Sequence, residues 1–208
     1  MEKELKPNNI DKFMNLEERK RDRILNAAMK EFRYGYKRAS TDTIVKEAGI
    51  SKGLLFHYFG SKAQLFEFVV RYAGDKLQES FYNMLDLGQR DIIEAFWQFA
   101  LLRRDINDQY PYIYDFSNGL HAHIADIPGD MKIELIKKGE VYFEDIPKRC
   151  DMSLFRDDID GLKALDLVLW SIEGFFQYMN VKEDANDYEK FLEDLRTYLD
   201  IFRNCFYK

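Results

Sequence analysis

Ser40-Thr41-Asp42-Thr43-Ile44-Val45-Lys46-Glu47-Ala48-Gly49-Ile50-Ser51-Lys52-Gly53-Leu54-Leu55-Phe56-His57-Tyr58-Phe59-Gly60 decides how the rest of the chain is read. Thr41 is placed to cap a short helix that turns Ile44, Val45 and Ala48 inward. Gly49 ends that helix, because the tight turn that follows needs a residue that accepts positive φ. Ile50 is a lone apolar plug in the turn. Ser51 starts a second helix, Lys52 to about Tyr58, with Leu55 and Phe59 as its buried residues and Gly60 as its stop. Two short helices held at so tight a corner make a helix-turn-helix. The first braces the second and leaves the second's outer face free.

Working outward, Ser61 with Gln64 forms a capping box for a long amphipathic helix through Leu65, Phe68, Val69, Tyr72, Leu77 and Phe81. Upstream, Asn15 with Glu18 marks the start of a helix carrying Ile24, Ala27, Ala28 and Phe32 on one face. Arg19, Lys20, Arg21 and Arg23 crowd its exposed first turns, and Gly35 closes it. Residues 1–14 are polar without a sustained period and read as a flexible arm. Downstream, Asp91 with Glu94 opens another helix, residues 107–130 are broken by Pro111, Gly119 and Pro128-Gly129, and Met131 to Ile146 is helical. Two long helices follow. One carries Leu162, Leu165, Val168, Leu169, Ile172, Phe175, Phe176 and Met179; the other carries Phe191, Leu192, Leu195, Tyr198, Leu199, Phe202 and Phe206. No segment alternates with period two, so the expected fold is all-α.

The 208 residues, 46% hydrophobic and 33% charged, suit one or two compact domains. The two cysteines, Cys150 and Cys205, are expected to be reduced thiols. No apolar run approaches the ~18 residues of a membrane span, and the first residues lack the apolar core of a signal peptide. On these features the chain is expected in the cytoplasm, away from membranes. The net charge of −6 hides an asymmetry, +4 over residues 1–75 against −10 over residues 76–208, which suggests two jobs in one chain.

A projecting helix of this width fits the major groove of double-stranded DNA. Lys52, Gly53, Leu54 and His57 would meet base edges: Lys52 as donor to guanine O6/N7, Leu54 against a thymine methyl, and Gly53 by letting backbone approach backbone. Thr41, Tyr58 and Lys62 would meet the sugar-phosphate backbone and set position without reading sequence. The free N–H groups of the helix capped by Ser61 would add a phosphate site.

The stretch also resembles the TetR (tetracycline-repressor-like) family of bacterial transcription regulators. The resemblance runs from Ile24-Leu25-x-Ala27-Ala28 and Phe32-x-x-Gly35-Tyr36 through Ser40-Thr41-x-x-Ile44-Val45-x-x-Ala48-Gly49-Ile50-Ser51-x-Gly53. It continues to Leu55-Phe56-x-Tyr58-Phe59-x-x-Lys62-x-x-Leu65, covering about residues 17–70 without a gap. One departure is Phe56, where the family usually has a tyrosine whose hydroxyl reaches a phosphate. Its loss removes a hydrogen bond worth on the order of 1 kcal/mol and shifts the load to Tyr58, Lys62 and the basic first helix.

The resemblance implies a helix-turn-helix DNA-binding domain over residues 15–62 and a larger helical effector-binding and dimerisation domain over 63–208. It implies a homodimer in which the last two helices pack on their copies, with Leu167, Trp170, Gly174, Tyr178, Tyr198 and Phe202 at the interface. The partners are then an operator, a second copy and an unknown small-molecule effector. The helix from Lys62 to about Phe81 would be the lever between the domains. From the residues themselves, the helix 162–179 has two apolar faces to cover, with Leu162, Val168, Leu169 and Ile172 toward its own core. The aromatic middle of the chain is expected to be largely core, and as a group to line an effector pocket through Phe96, Trp97, Phe99, Tyr112, Phe116, His121, Tyr142 and Phe143.

His121 and His123, with Asp126 nearby, are not expected to make a metal site, since i and i+2 diverge on a helix and no Cys or third His supports them. No nucleophile–base order or phosphate-cradling loop stands out, so neither cofactor nor catalysis is expected. The expected function is a homodimeric DNA-binding repressor relieved by an effector. The alternative is a helical small-molecule-binding protein or enzyme without DNA binding.

Overall fold

A computed structural model describes residues 7–86, 90–123, 148–181 and 188–208. Nine α-helices are delimited among them: α1 Pro7–Met14, α2 Glu18–Phe32, α3 Thr41–Ala48, α4 Lys52–Phe59, α5 Lys62–Asp86, α6 Ile92–Gln109, α7 Ile113–Ala122, α8 Gly161–Val181 and α9 Tyr188–Phe206. The described residues contain no sheet, only an isolated antiparallel bridge between Phe155 and Tyr207. The all-α expectation holds.

The chain divides into two compact units, residues 1–77 with 106–132 and residues 78–105 with 133–208. The division falls inside α5 and α6, whereas the expected domains meet at residue 62. The first unit extends past that point because α2 packs on α7 as well as on α3. Gly119 shows how closely. A Cβ there would lie 2.2 Å from the Arg33 carbonyl oxygen, so the helix-breaking role expected of Gly119 is corrected: it sits within α7 at a close backbone approach. Arg33 Nη1 also pairs with Asp115 at 3.1 Å. At the other end of α2, the Tyr110 hydroxyl donates to Asp22 Oδ1 (3.1 Å) and lies 2.6 Å from the Tyr72 hydroxyl. Gln109 Nε2 donates to Asp22 Oδ2 at 3.0 Å, and Asn26 Nδ2 donates to the Gln109 carbonyl at 2.9 Å. Burial, reinforced by these hydroxyl and carboxylate neighbours, holds the Tyr110 phenol far above its ordinary 10.0.

The arm expected over residues 1–14 is corrected for residues 7–14, which form α1. Pro7 occupies the first helical position, where its missing N–H costs nothing. Phe13 is fully buried, edge-on to Phe59 (centroids 4.8 Å), Phe68 (5.5 Å) and Tyr58 (5.7 Å). Asn15 therefore finishes α1, its N–H donating to the Asp11 carbonyl, and the cap of α2 is Glu17 with no side-chain hydrogen bond.

In the second unit α8 packs on α9, and Leu165, Val168, Ile172, Leu195 and Leu199 join Ile92, Ile93, Phe96 and Ala100 in one core. Asp91 ties the chain end to the start of α6. It accepts from Ile93 N–H and the Tyr207 hydroxyl, and pairs with Arg203 Nη1 at 2.7 Å. Leu162 corrects the expectation of an inward residue, being 54% exposed. It sits in the first turn of α8, held by its N–H to Asp160 Oδ1, and the buried face begins only at Ala164. Both cysteines are free thiols, Cys150 buried and Cys205 exposed.

Candidate nucleic-acid interface

The corner between α3 and α4 is built as its sequence demands. The N-cap of α3 is Ser40, one residue before the expected Thr41. Its backbone is extended, its Oγ accepts from Thr43 N–H and its own N–H donates to Glu31 Oε1 at 2.8 Å. Gly49 takes φ +66°, ψ 39°, and the Ile50 N–H returns to the Val45 carbonyl at 3.1 Å. Ser51 Oγ then caps α4 by accepting from Leu54 N–H at 3.1 Å. Ile44, Leu55 and Phe59 are fully buried, which fixes the rotation of α4. Lys52, Gly53 and His57 are exposed and Leu54 is half-buried.

A Cβ on Gly53 would meet nothing within 4 Å, so nothing in this chain requires a glycine there. Lys52 Nζ lies 2.8 Å from Asp42 Oδ1 and 3.0 Å from Oδ2. Thr41 and Lys62 are half-buried, with the Lys62 ammonium 4.7 Å from the Tyr36 ring centroid. The residue that departs from expectation is Tyr58. It is only 8% exposed, because the unexpected α1 lays Phe13 against its ring. Asn9 Nδ2 donates to the His57 carbonyl at 2.9 Å, satisfying an oxygen in the last turn of α4 that the helix itself leaves open.

An α-helix held on such a turn, apolar on its inner side and open on its outer side, has the form of a helix that enters the major groove. Residues 24–69, which contain all of α3 and α4, match the family described as bacterial regulatory proteins, tetR family. Residues 24–69 are thus a DNA-binding segment of the tetR type. The chain is accordingly a DNA-binding transcription regulator. It is similar over 196 residues to the biofilm operon icaADBC HTH-type negative transcriptional regulator IcaR of Staphylococcus aureus, at 26% identity over 88% of this chain and 98% of that protein. Its fold is similar to that of a TetR family transcriptional regulator from Chloroflexus aurantiacus (TM-score 0.63, 16% identity, 95% of this chain and 98% of that one). It is also similar to PfmR from Thermus thermophilus (TM-score 0.62, 22% identity, 88% and 97%).

The residues expected at the dimer interface and in the pocket fall on both units. In the second, Leu167, Trp170, Gly174 and Tyr178 of α8 and Tyr198 of α9 are exposed, and Phe202 is half-buried. Trp170 reaches 62% exposure, and a Cβ on Gly174 would meet nothing. Those of the expected pocket residues whose side chains are described divide between the two units. Phe96 is core, Trp97 lies under Arg196 and Phe99 is edge-on to Phe176, all in the second unit. Phe116 is fully buried, and Tyr112 lies under Lys30 and Arg33, both in the first. His121 is on α7 with its side chain outside the described part, while Asp126, Tyr142, Phe143 and the expected helix 131–146 lie outside the described residues. Among those described, no three acidic, histidine or cysteine side chains gather as metal ligands, and no helix is long and apolar enough to cross a membrane.

Sequence reasoning missed Asp42, Asn9 and Phe13. A signal for α1 was present, with Pro7 at a helix start and Ile10, Phe13 and Met14 at i, i+3, i+4. For Asp42 there was none, since its partner is ten residues away and across the turn.

Proposed function

We propose that the protein is a homodimeric cytoplasmic repressor whose operator binding is relieved by a small-molecule effector. The observation that carries this reading is the outer face of α4, where Lys52, Gly53 and His57 stand exposed on a helix that is locked on its inner side. In this reading Lys52, Gly53, Leu54 and His57 read base edges, and Thr41 and Lys62 set position on phosphates. The N-terminal unit is the DNA-binding body. The exposed apolar face of Leu167, Trp170, Tyr178, Tyr198 and Ile201 is covered by the same face of a second copy. A two-fold pair of reading heads, about 34–36 Å apart, then meets two half-sites of a near-palindrome.

Repression is supported by the likeness to a negative regulator. Relief by an effector is supported by the aromatic side chains of α6, Phe96, Trp97 and Phe99, in or against the core of the second unit, a composition that suits an apolar ligand. Because α5 is continuous from one unit into the other, it is the lever by which ligand binding alters the head separation. The coupling equals the ligand's differential affinity for the two states.

A mobility shift with the DNA upstream of the protein's own gene tests this. Lys62→Ala should weaken all duplexes alike and lower the salt slope by about one unit, whereas Leu54→Ala should change base preference. An unsubstituted protein that binds no duplex in a salt-sensitive way would overturn the reading. The same uniform loss in both variants would overturn the assignment of roles.

A further inference from the structure

We propose that Asp42 is a specificity-determining residue that reads one G·C base pair jointly with Lys52. The inference rests on the DNA-reading role of α4. Asp42 is the second residue of α3 and Lys52 the first of α4. Their side chains are 74% and 49% exposed, yet both carboxylate oxygens lie within 3.0 Å of the ammonium. The two backbones are fixed by the Ser40 and Ser51 caps and by the burial of Ile44 and Leu55, so the pair is presented as a unit beside the reading face. An exposed ion pair of this kind adds little to stability. A carboxylate brought among phosphates opposes binding unless a donor receives it.

In the major groove the donors are the exocyclic amines, and the N4 amine of cytosine sits beside the O6 acceptor of its guanine partner. An acceptor and a donor held 2.8 Å apart complement that edge, Asp42 taking the N4 proton and Lys52 donating to guanine. Guanine is favoured over the A·T alternative because it offers the ammonium two acceptors, O6 and N7, where thymine offers only O4.

The test is a fluorescence-anisotropy titration of the full chain against duplexes in which each base pair of the half-site is varied, with Asp42→Ala and Asp42→Asn beside the unsubstituted protein. Asp42→Ala should lose roughly tenfold discrimination at one G·C pair per half-site. The same variant should bind non-specific duplex more tightly, with a steeper salt slope, as Lys52 turns to phosphate. Asp42→Asn should shift that position toward A·T, the base pair an amide reads well. If Asp42→Ala binds every sequence tighter by one common factor, the carboxylate is merely repulsive and the inference is wrong. If neither variant changes preference or affinity, the pair is a solvated surface contact and the inference is equally wrong. Absence of salt-sensitive binding by the unsubstituted protein would instead overturn the DNA reading itself, and this inference with it.

Discussion

Three helical glycines separate the residue-scale demands of folding from those of binding. Gly119 is required inside the chain, since any Cβ would press on the Arg33 carbonyl. Gly119→Ala should cost about 2–3 kcal/mol, read as a lower midpoint in urea unfolding. Gly53 and Gly174 have open space where a Cβ would go, so the fold does not explain them. Gly53→Ala should leave the protein as stable or stabilise it by about 0.5 kcal/mol, while lowering affinity for DNA. A Gly53→Ala variant with unchanged affinity would remove that residue from the interface. The sequence makes each glycine visible as an anomaly in a helix but does not give its reason. Gly119 therefore reads as a break, because the carbonyl it accommodates is 86 residues upstream and meets it only in the tertiary fold.

At the scale of elements, legibility follows locality. The caps at Ser51 and Ser61, the Asp91 start of α6 and the Gly49 corner are set by residues within four positions of one another, and each is where its spacing predicts. Helix α1 is less legible because its eight residues hold together by docking Phe13 rather than by propensity. Phe13→Ala should therefore cost about 3–4 kcal/mol and should loosen α4, raising amide exchange there before elsewhere. Tyr110 and Tyr207 are both buried, mainly for that reason held protonated well above the ordinary 10.0. Below pH 10 folded and unfolded chains carry the same proton on each. Above it only the unfolded chain ionises, so stability should fall by about 1.4 kcal/mol per pH unit for each tyrosine. Tyr110→Phe should make the fall in melting temperature between pH 10 and 11 shallower, although it starts lower at neutral pH through the lost hydrogen bond to Asp22.

For the whole molecule, the strongest pointer to assembly is a monomer surface that leaves Trp170, Tyr178, Leu167, Tyr198 and Ile201 about half exposed or more. Soluble monomers seldom leave so many large apolar side chains of one helix pair in water. Trp170→Glu should shift the protein from dimer to monomer in sedimentation velocity while each subunit stays folded by circular dichroism. The two apolar faces of α8 are legible in its sequence, whereas the division into units is not. That division depends on α2 packing with α7, a pairing that no local spacing encodes. In the function proposed here the outer face of α4 reads duplex DNA as one half of a symmetric pair. Selection of tight binders from random duplexes by the purified full chain, followed by sequencing and by stoichiometry on the selected site, tests it most directly. The expected result is an inverted repeat whose half-site centres lie about one helical turn apart, bound by an even number of subunits, with affinity falling steeply as salt rises. Enrichment of no sequence, or of a single asymmetric site bound by one subunit, would rule out that role for α4.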